Sequence, residues 1–218
     1  MRSTHYGKTL RLVVFDLDGT LLEAESSWGT VNRAFGHDNC ESMALFRRGA
    51  IDYPEFMRRD IAGWPRPLHV DRVREALSGW VFRAGAADVV AALRARGLVL
   101  SILSGGIDVL AHEVAATLGI DHVLVNELVT DERGFLTGEA RMHVDPLRKE
   151  RALEQLCRAV GVAPQACVTV GDSEMDGSFL RAGGLGVLLG EAARGDALGV
   201  QSVPELLGLL DLVDAATR

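Results

Sequence analysis

The segment Leu12-Val13-Val14-Phe15-Asp16-Leu17-Asp18-Gly19-Thr20 constrains the chain more than any other. Four apolar residues run unbroken into two carboxylates spaced i, i+2, and Gly19 ends the run. A short, continuous apolar run rich in β-branched and aromatic residues predicts a strand buried on both faces, as in the middle of a parallel sheet. In extended chain Asp16 and Asp18 point the same way. Like charges at the end of a buried strand repel each other and lose their water. A fold keeps such a pair where a cation sits beside it or where chemistry needs a carboxylate. The plainer alternative is a surface turn that ends an ordinary strand.

The following residues, 21–82, hold few β-branched runs. Helical stretches are predicted at Ser27–Phe35, Ser42–Arg48, Tyr53–Ile61 and Val70–Leu77, broken by Gly36, Gly49, Gly63 and Pro65-Arg66-Pro67. Asp52 reads as a helix N-cap, with Pro54 and Glu55 in the first turn. These four short helices form an inserted helical module over residues 21–82. Residues 1–20 and 83–218 make the α/β core. There, strands at Leu98–Leu103, His122–Val125, Cys167–Val170 and Gly186–Leu189 alternate with helices at Ala86–Arg96, Asp108–Leu118, Pro146–Val160, Gly177–Ala182 and Pro204–Leu212. Glu127 to Val144 reads as a small hairpin. Alternation of this kind predicts βαβ units and a doubly wound parallel sheet.

Composition narrows the function. The 218 residues carry a net charge of −7 with no basic block, which argues against nucleic acid or an anionic membrane as partner. No apolar run approaches the roughly 18 residues of a membrane span, and residues 1–9 lack the apolar stretch of a secretory signal. Cys40, Cys157 and Cys167 are odd in number and lack metal-ligand spacing. They read as reduced thiols, which points to the cytoplasm. The chain is expected to act as a monomer or homodimer.

In doubly wound sheets, ligands bind beyond the carboxyl ends of the strands. Asp16 and Asp18 follow the first strand, Ser104 the second, and Asp172 and Asp176 the fourth. Four carboxylates suit Mg²⁺, a hard ion that takes oxygen ligands. Ser104 with the amides of Gly105 and Gly106 makes an anion cradle. Lys149 supplies fixed positive charge, although its run Arg148-Lys149-Glu150-Arg151 also fits a solvated face. A phosphate monoester needs such parts: charge neutralisation, an in-line nucleophile and a proton for the leaving oxygen.

Asp16-Leu-Asp18-Gly-Thr20, Ser104-Gly-Gly106, Lys149 and Gly171-Asp172 with Asp176 occur in the order and spacing of the haloacid dehalogenase superfamily. Within it the chain resembles the phosphoserine phosphatase-like branch. The resemblance implies a Rossmann-like core with a small helical cap, and phosphatase activity on a small phosphorylated metabolite. It implies that Asp16 is the nucleophile that becomes phosphorylated and Asp18 the acid/base. Mg²⁺ would lie at Asp16, the Asp18 carbonyl and Asp172, with Asp176 close by or orienting Lys149. Ser104 and the Gly105 amide would bind phosphoryl oxygens. Transfer of the phosphoryl group to a second acceptor, or a receiver-type phosphorylation switch, remain alternatives.

The pattern departs from that branch in the module. Glu25 falls where an acidic residue meets the substrate amine, and Tyr53 matches the aromatic that precedes an arginine by about two turns. The arginine position holds Asp60. Arg58 and Arg59 lie one or two residues away, a shift that turns a helical side chain by about 100–200°. Met175 stands where Asn is usual. An Asp facing a substrate carboxylate repels it, so the expected substrate carries an amine or hydroxyls instead of a free carboxylate.

Overall fold

A computed structural model describes residues 9–23 and 26–218. Its centre is strand β1 (Leu12–Phe15), buried along its whole length. β1 pairs in parallel with β2 (Val99–Ile107) on one side and β5 (Cys167–Gly171) on the other, with Leu12 opposite Val99 and Cys167. Beyond β2 lie β3 (His122–Thr130) and β4 (Leu136–Arg141); beyond β5 lie β6 (Leu185–Leu189) and β7 (Gln201–Val203). The sheet order is β4-β3-β2-β1-β5-β6-β7, parallel except for the β3–β4 pair. The direction of strand addition reverses between β1 and β5, so the crevice of this sheet opens at the end of β1.

Successive side chains of β1 point to opposite faces. Val13 and Phe15 join one hydrophobic cluster, and Leu12 and Val14 join the other. Helices cover both faces: α5 (Ala86–Ala95), α6 (Asp108–Leu118), α7 (Lys149–Val160), α8 (Gly177–Ala182), α9 (Ala192–Leu198) and α10 (Gly208–Ala216). α6 and α7 end on Gly119 and Gly161, whose φ of 67° and 73° lets the chain turn out of the helix at no steric cost.

Between β1 and α5 the chain makes a helical excursion: α1 (Ser27–Ala34), α2 (Cys40–Arg47), α3 (Tyr53–Ala62) and α4 (Val70–Leu77). Ser26 caps α1 by accepting the Gly29 N–H at 3.1 Å, and Asp52 caps α3 through Glu55 at 2.9 Å. The chain departs and returns side by side: Leu22 bridges Phe82, Glu23 N–H donates to Val81 O at 3.0 Å, and Arg83 N–H donates to Leu21 O at 2.9 Å. Trp28, Phe46, Tyr53 and Phe56 belong to the same apolar cluster as Val13 and Phe15. Among the described residues no helix is long and apolar enough to cross a membrane.

Several elements differ from the sequence reading. β2 does not stop at Leu103; it runs on to Ile107, with a register shift between Ser104 and Ile107 that absorbs the two glycines. The third strand and the first hairpin arm are one strand, β3, and the hairpin extends the sheet. The residues from Pro146 form a 3₁₀ turn, Pro146–Arg148, before α7 starts at Lys149. α9 and the three-residue β7 went unpredicted, and the last helix begins at Gly208 instead of Pro204. Such short segments carry too few residues to show a period.

Phe15 is fully buried on the central strand, whereas Leu147 is 47% exposed. Phe15→Ala should therefore lower the unfolding free energy by about 3–5 kcal/mol, and Leu147→Ala by less than about 0.5 kcal/mol, in urea titrations followed by circular dichroism.

Candidate active site

β1 delivers Asp16 to the carboxyl edge of the sheet, where its N–H continues the ladder by donating to Val170 O at 2.8 Å. Asp16 is 5% exposed. Facing it is Lys149, the first residue of α7 and equally buried. The Lys149 Nζ lies 2.9 Å from Asp16 Oδ1 and donates to Asp176 Oδ1 at 2.6 Å. The other Asp176 oxygen accepts the N–H groups of Asp172 and Ser173 at 3.2 and 3.1 Å and the Ser173 hydroxyl at 3.0 Å. Asp176 is thus saturated. It fixes Lys149 on one side and the turn after β5 on the other.

That turn presents Asp172. Thr20 donates to Asp172 Oδ1 at 3.2 Å, and Arg194 donates to the Asp172 carbonyl at 2.9 Å. Gly19 sits at φ 80°, and a Cβ there would run into the Asp172 carboxylate, so only glycine leaves the two turns this close. Arg83 holds the Gly19 carbonyl from the returning segment.

Asp18 lies in the turn after β1. Its Oδ2 accepts the N–H of Ser27 at 2.8 Å and the Ser27 hydroxyl at 2.7 Å. Its Oδ1 is buried with no hydrogen-bond partner. Ser27 Oγ also accepts the Ile107 N–H at 3.2 Å, which ties α1 to the end of β2. A Cβ on Gly106 would stand 2.6 Å from Ser27 Oγ and 2.9 Å from Asp18 Oδ2, so glycine is required there too.

The Ser104-Gly105-Gly106 bulge is held from three sides. Gly105 O accepts from Tyr53 OH at 2.7 Å, Asn126 Nδ2 at 3.0 Å and Trp28 Nε1 at 3.1 Å. Gly106 N–H donates to Ser104 Oγ at 3.1 Å, which removes that amide from the expected anion cradle. Asn126 also donates to Val144 O at 3.0 Å and accepts from His143 and Val144 at 2.7 and 2.8 Å. Burial holds the Tyr53 phenol well above its ordinary value, so it stays a donor.

These residues surround a cavity of about 240 Å³. Asp16, Asp18, Ser104, Gly105, Lys149 and Asp172 line its floor; Trp28, Met43, Phe46, Arg47, Tyr53 and Phe56 line its other side, with Met175 also at the wall. Two expected substrate contacts are corrected. Arg58 is paired with Glu55 at 2.7 Å on the outer face of α3 and does not line the cavity. Asp60 is fully buried and also turned away, accepting from Asn32 and Asn39 at 2.7 and 2.9 Å. It therefore repels nothing in the cavity, and the argument against a substrate carboxylate loses its basis. Glu25 lies outside the described residues. Ser27, Trp28, Arg83, Asn126 and Arg194 were missed. Asn126, polar within an apolar strand, was the visible signal; the others have no signature in one sequence.

Burial pushes the Asp16 carboxyl up to about 7; Lys149 opposes this, while Asp176 and Asp172 add to it. Burial also raises Asp18 against its hydrogen bonds from Ser27, and raises Asp172. Burial works to lower Lys149, but Asp16 and Asp176 overcome it and hold the ammonium above its usual range. One lysine therefore does not balance these carboxylates. Ligand oxygens of Asp16, Asp172 and Asp176 lie within 4.8 Å of one another. Hard oxygen donors, excess negative charge and an Asp16 oxygen that is buried without a hydrogen-bond partner fit a small divalent cation. Since Asp176 is already engaged on both oxygens, Asp16 and Asp172 are the carboxylates available to such an ion.

Two outcomes follow from this geometry. Tyr53→Phe leaves Gly105 O two donors and should cost about 0.5–1.5 kcal/mol of stability; Asn126→Ala strips four hydrogen bonds, three of them buried, and should cost about 3 kcal/mol or more, both read by chemical denaturation. Between the ordinary value of 3.8 and about 7, the folded protein holds a proton on Asp16 that the unfolded chain has released. Metal-free protein should thus lose stability as pH rises through that window, and Asp16→Asn should flatten the slope.

A family model for haloacid dehalogenase-like hydrolases matches residues 13–181. Curated phosphoserine phosphatases resemble the chain along most of its length. The protein from Albidiferax ferrireducens is 32% identical over 187 residues, covering 81% of this chain and 77% of that one. The Halobacterium salinarum protein is 34% identical over 184 residues, covering 82% and 85%. The Archaeoglobus fulgidus protein is 29% identical over 212 residues, covering 95% of this chain, which spans 61% of that relative. A solved phospho-aspartyl intermediate analogue of phosphoserine phosphatase superimposes with a TM-score of 0.77 over 94% of this chain and 99% of that one, at 23% identity, a likeness of fold. The motif-bearing floor of the cavity lies within the matched span, and the chain belongs to the haloacid dehalogenase-like hydrolases, in their phosphoserine phosphatase-like branch.

Proposed function

We propose that the chain is a Mg²⁺-dependent phosphomonoester hydrolase that works through an aspartyl-phosphate on a small phosphorylated metabolite. The observation that carries this reading is the buried arrangement of Asp16, Lys149 and Asp176, with the Ser27-held Asp18 on the same cavity. Lys149, Ser104 and the Gly105 amide grip the phosphoryl oxygens. An Asp16 oxygen attacks phosphorus as the ester P–O bond breaks, and Asp18 gives its proton to the departing alcohol. Asp18, now a base, takes a proton from water. The resulting hydroxide attacks phosphorus, releases inorganic phosphate and restores Asp16. Asp16, Asp172 and the Asp18 main-chain carbonyl would hold Mg²⁺, which when bound would supply positive charge to offset the phosphoryl oxygens and keep Asp16 ionised. Asp176 acts through Lys149, as its saturated hydrogen bonds favour.

Residues 21–82 serve in this reading as a cap over a core of residues 1–20 and 83–218. The paired Leu22–Phe82 junction and the aromatic cavity wall from α1, α2 and α3 support that division. The similarity to phosphoserine phosphatases makes phosphoserine the first substrate to test. Free Cys40, Cys157 and Cys167 favour a cytoplasmic setting. Receiver-type switching and transfer to a second acceptor have no observation in their favour.

With phosphoserine, phosphoethanolamine and phenyl phosphate as substrates, Mg²⁺ should support phosphate release and EDTA should abolish it. Asp16→Asn should abolish both turnover and acid-stable labelling of the protein. Asp18→Asn should lower kcat about 10²–10⁴-fold. Near-normal activity of Asp16→Asn would reject the assignment.

A further inference from the structure

Two of the three cysteines meet at the amino edge of the sheet. Cys157 lies in α7, and Cys167 is the first residue of β5, opposite Leu12 of β1. Both are buried in the apolar cluster that holds Leu12 and Val14. Their sulfurs share a hydrogen bond at 3.4 Å, and the Cys167 thiol also donates to Ala163 O at 3.4 Å. At that separation the sulfurs are in direct contact. Cys40 is exposed on α2, apart from this pair.

The two thiols are not equivalent. Cys157 lines a surface depression of about 370 Å³ together with Arg158, Gly161, Val162, Ala163 and Pro164; Cys167 does not. Burial raises both thiols above their ordinary value. In Cys167 the contact with Cys157 adds to the rise, whereas in Cys157 the same contact and Arg158 oppose it. Cys157 is therefore the sulfur nearer to solvent and the one that ionises more readily, and the thiolate is the form that reacts.

The backbone between the two is already drawn together. The N–H groups of Gly161 and Val162 both donate to Cys157 O, at 2.9 and 3.0 Å, and Ala166 N–H donates to Ala163 O at 2.9 Å. Joining the sulfurs asks for rotation of side chains and no new path of the chain. Asp16 and Asp172 sit at the opposite ends of their strands.

We propose that Cys157 and Cys167 form a redox modification site, in which Cys157 takes oxygen from a peroxide and Cys167 resolves it to an intramolecular disulfide that stabilises the fold. The Cys157 thiolate attacks hydrogen peroxide. The O–O bond breaks, a sulfenic acid forms, and the departing hydroxide takes up the thiol's proton as water. The Cys167 sulfur then attacks the Cys157 sulfur, the S–O bond breaks, and the hydroxyl leaves with the Cys167 proton as a second water. Two electrons pass from the thiols to the peroxide. The inference stands apart from the hydrolase reading, since none of its readouts depends on catalysis.

The test treats the full chain carrying Cys40→Ser with hydrogen peroxide, then unfolds it in an alkylating agent and digests it with trypsin. Cleavage after Arg151, Arg158 and Arg181 should give residues 152–158 joined to residues 159–181. The midpoint of thermal unfolding should rise by about 5–10 °C over untreated protein and fall back with dithiothreitol. Cys167→Ser on the same background should leave a sulfenic acid on Cys157 that dimedone labels, with no rise in the midpoint. Separate peptides with both cysteines alkylated overturn the site. A joined pair without a reversible rise overturns its stabilising role. Dimedone labelling of Cys167 in Cys157→Ser, with none on Cys157 in Cys167→Ser, overturns the order of attack.

Discussion

A single ammonium group buried between two carboxylates holds the site together. Lys149 arrives from the first turn of α7, Asp16 from the end of β1 and Asp176 from the turn after β5. Bringing three charges out of water is costly unless each finds opposite charge and hydrogen bonds. Asp176 meets that demand with three donors besides the lysine; Asp16 does not, and its carboxyl rises toward neutrality as a result. The asymmetry has chemical meaning. The saturated carboxylate is structural, and the underserved one is left with bonding capacity for something that arrives from outside.

Around that triad, the turns after β1, β2 and β5 are packed too tightly to vary independently. Gly19 lies against Asp172, and Gly106 lies against Ser27 and Asp18. Each contact joins residues far apart in the chain, so the geometry of the floor is set by the sheet register as much as by local turns. The Gly105 carbonyl extends the coupling upward. Its three donors come from α1, α3 and β3, which makes one peptide group the meeting point of the helical layer, the sheet and the Ser104-Gly105-Gly106 bulge.

How much of this was legible beforehand depended on the range of the interaction. The buried strand Leu12–Phe15 and the acidic pair behind it were plain, because burial on both faces writes an unbroken apolar run. Ser104 and Asp172 could be placed because each follows a recognisable strand; Lys149, inside a charged run of the expected helix, was placed by the motif spacing of the family it resembles. Asp60 was misread: its helix was right, but nothing local reveals that Asn32 and Asn39 wait across the interface to bury it. Ser27 and Trp28 were passed over for the same reason, since their partners Asp18 and Gly105 are defined by tertiary packing. Helix α9 and strand β7 left no period because neither is long enough to make one.

The antiparallel contact at Leu22 and Phe82 bears on how the polypeptide finds its shape. Once those two positions meet, the whole helical excursion is reduced topologically to a closed loop, and β1 and α5 become near neighbours. The entropic penalty for joining the central strands then grows only with the logarithm of the intervening length. An excursion tied off at its base in this way is free to change in size without altering the pairing of β1 with β2, so long as Ser27, Trp28 and Tyr53 keep their bonds to Asp18 and Gly105.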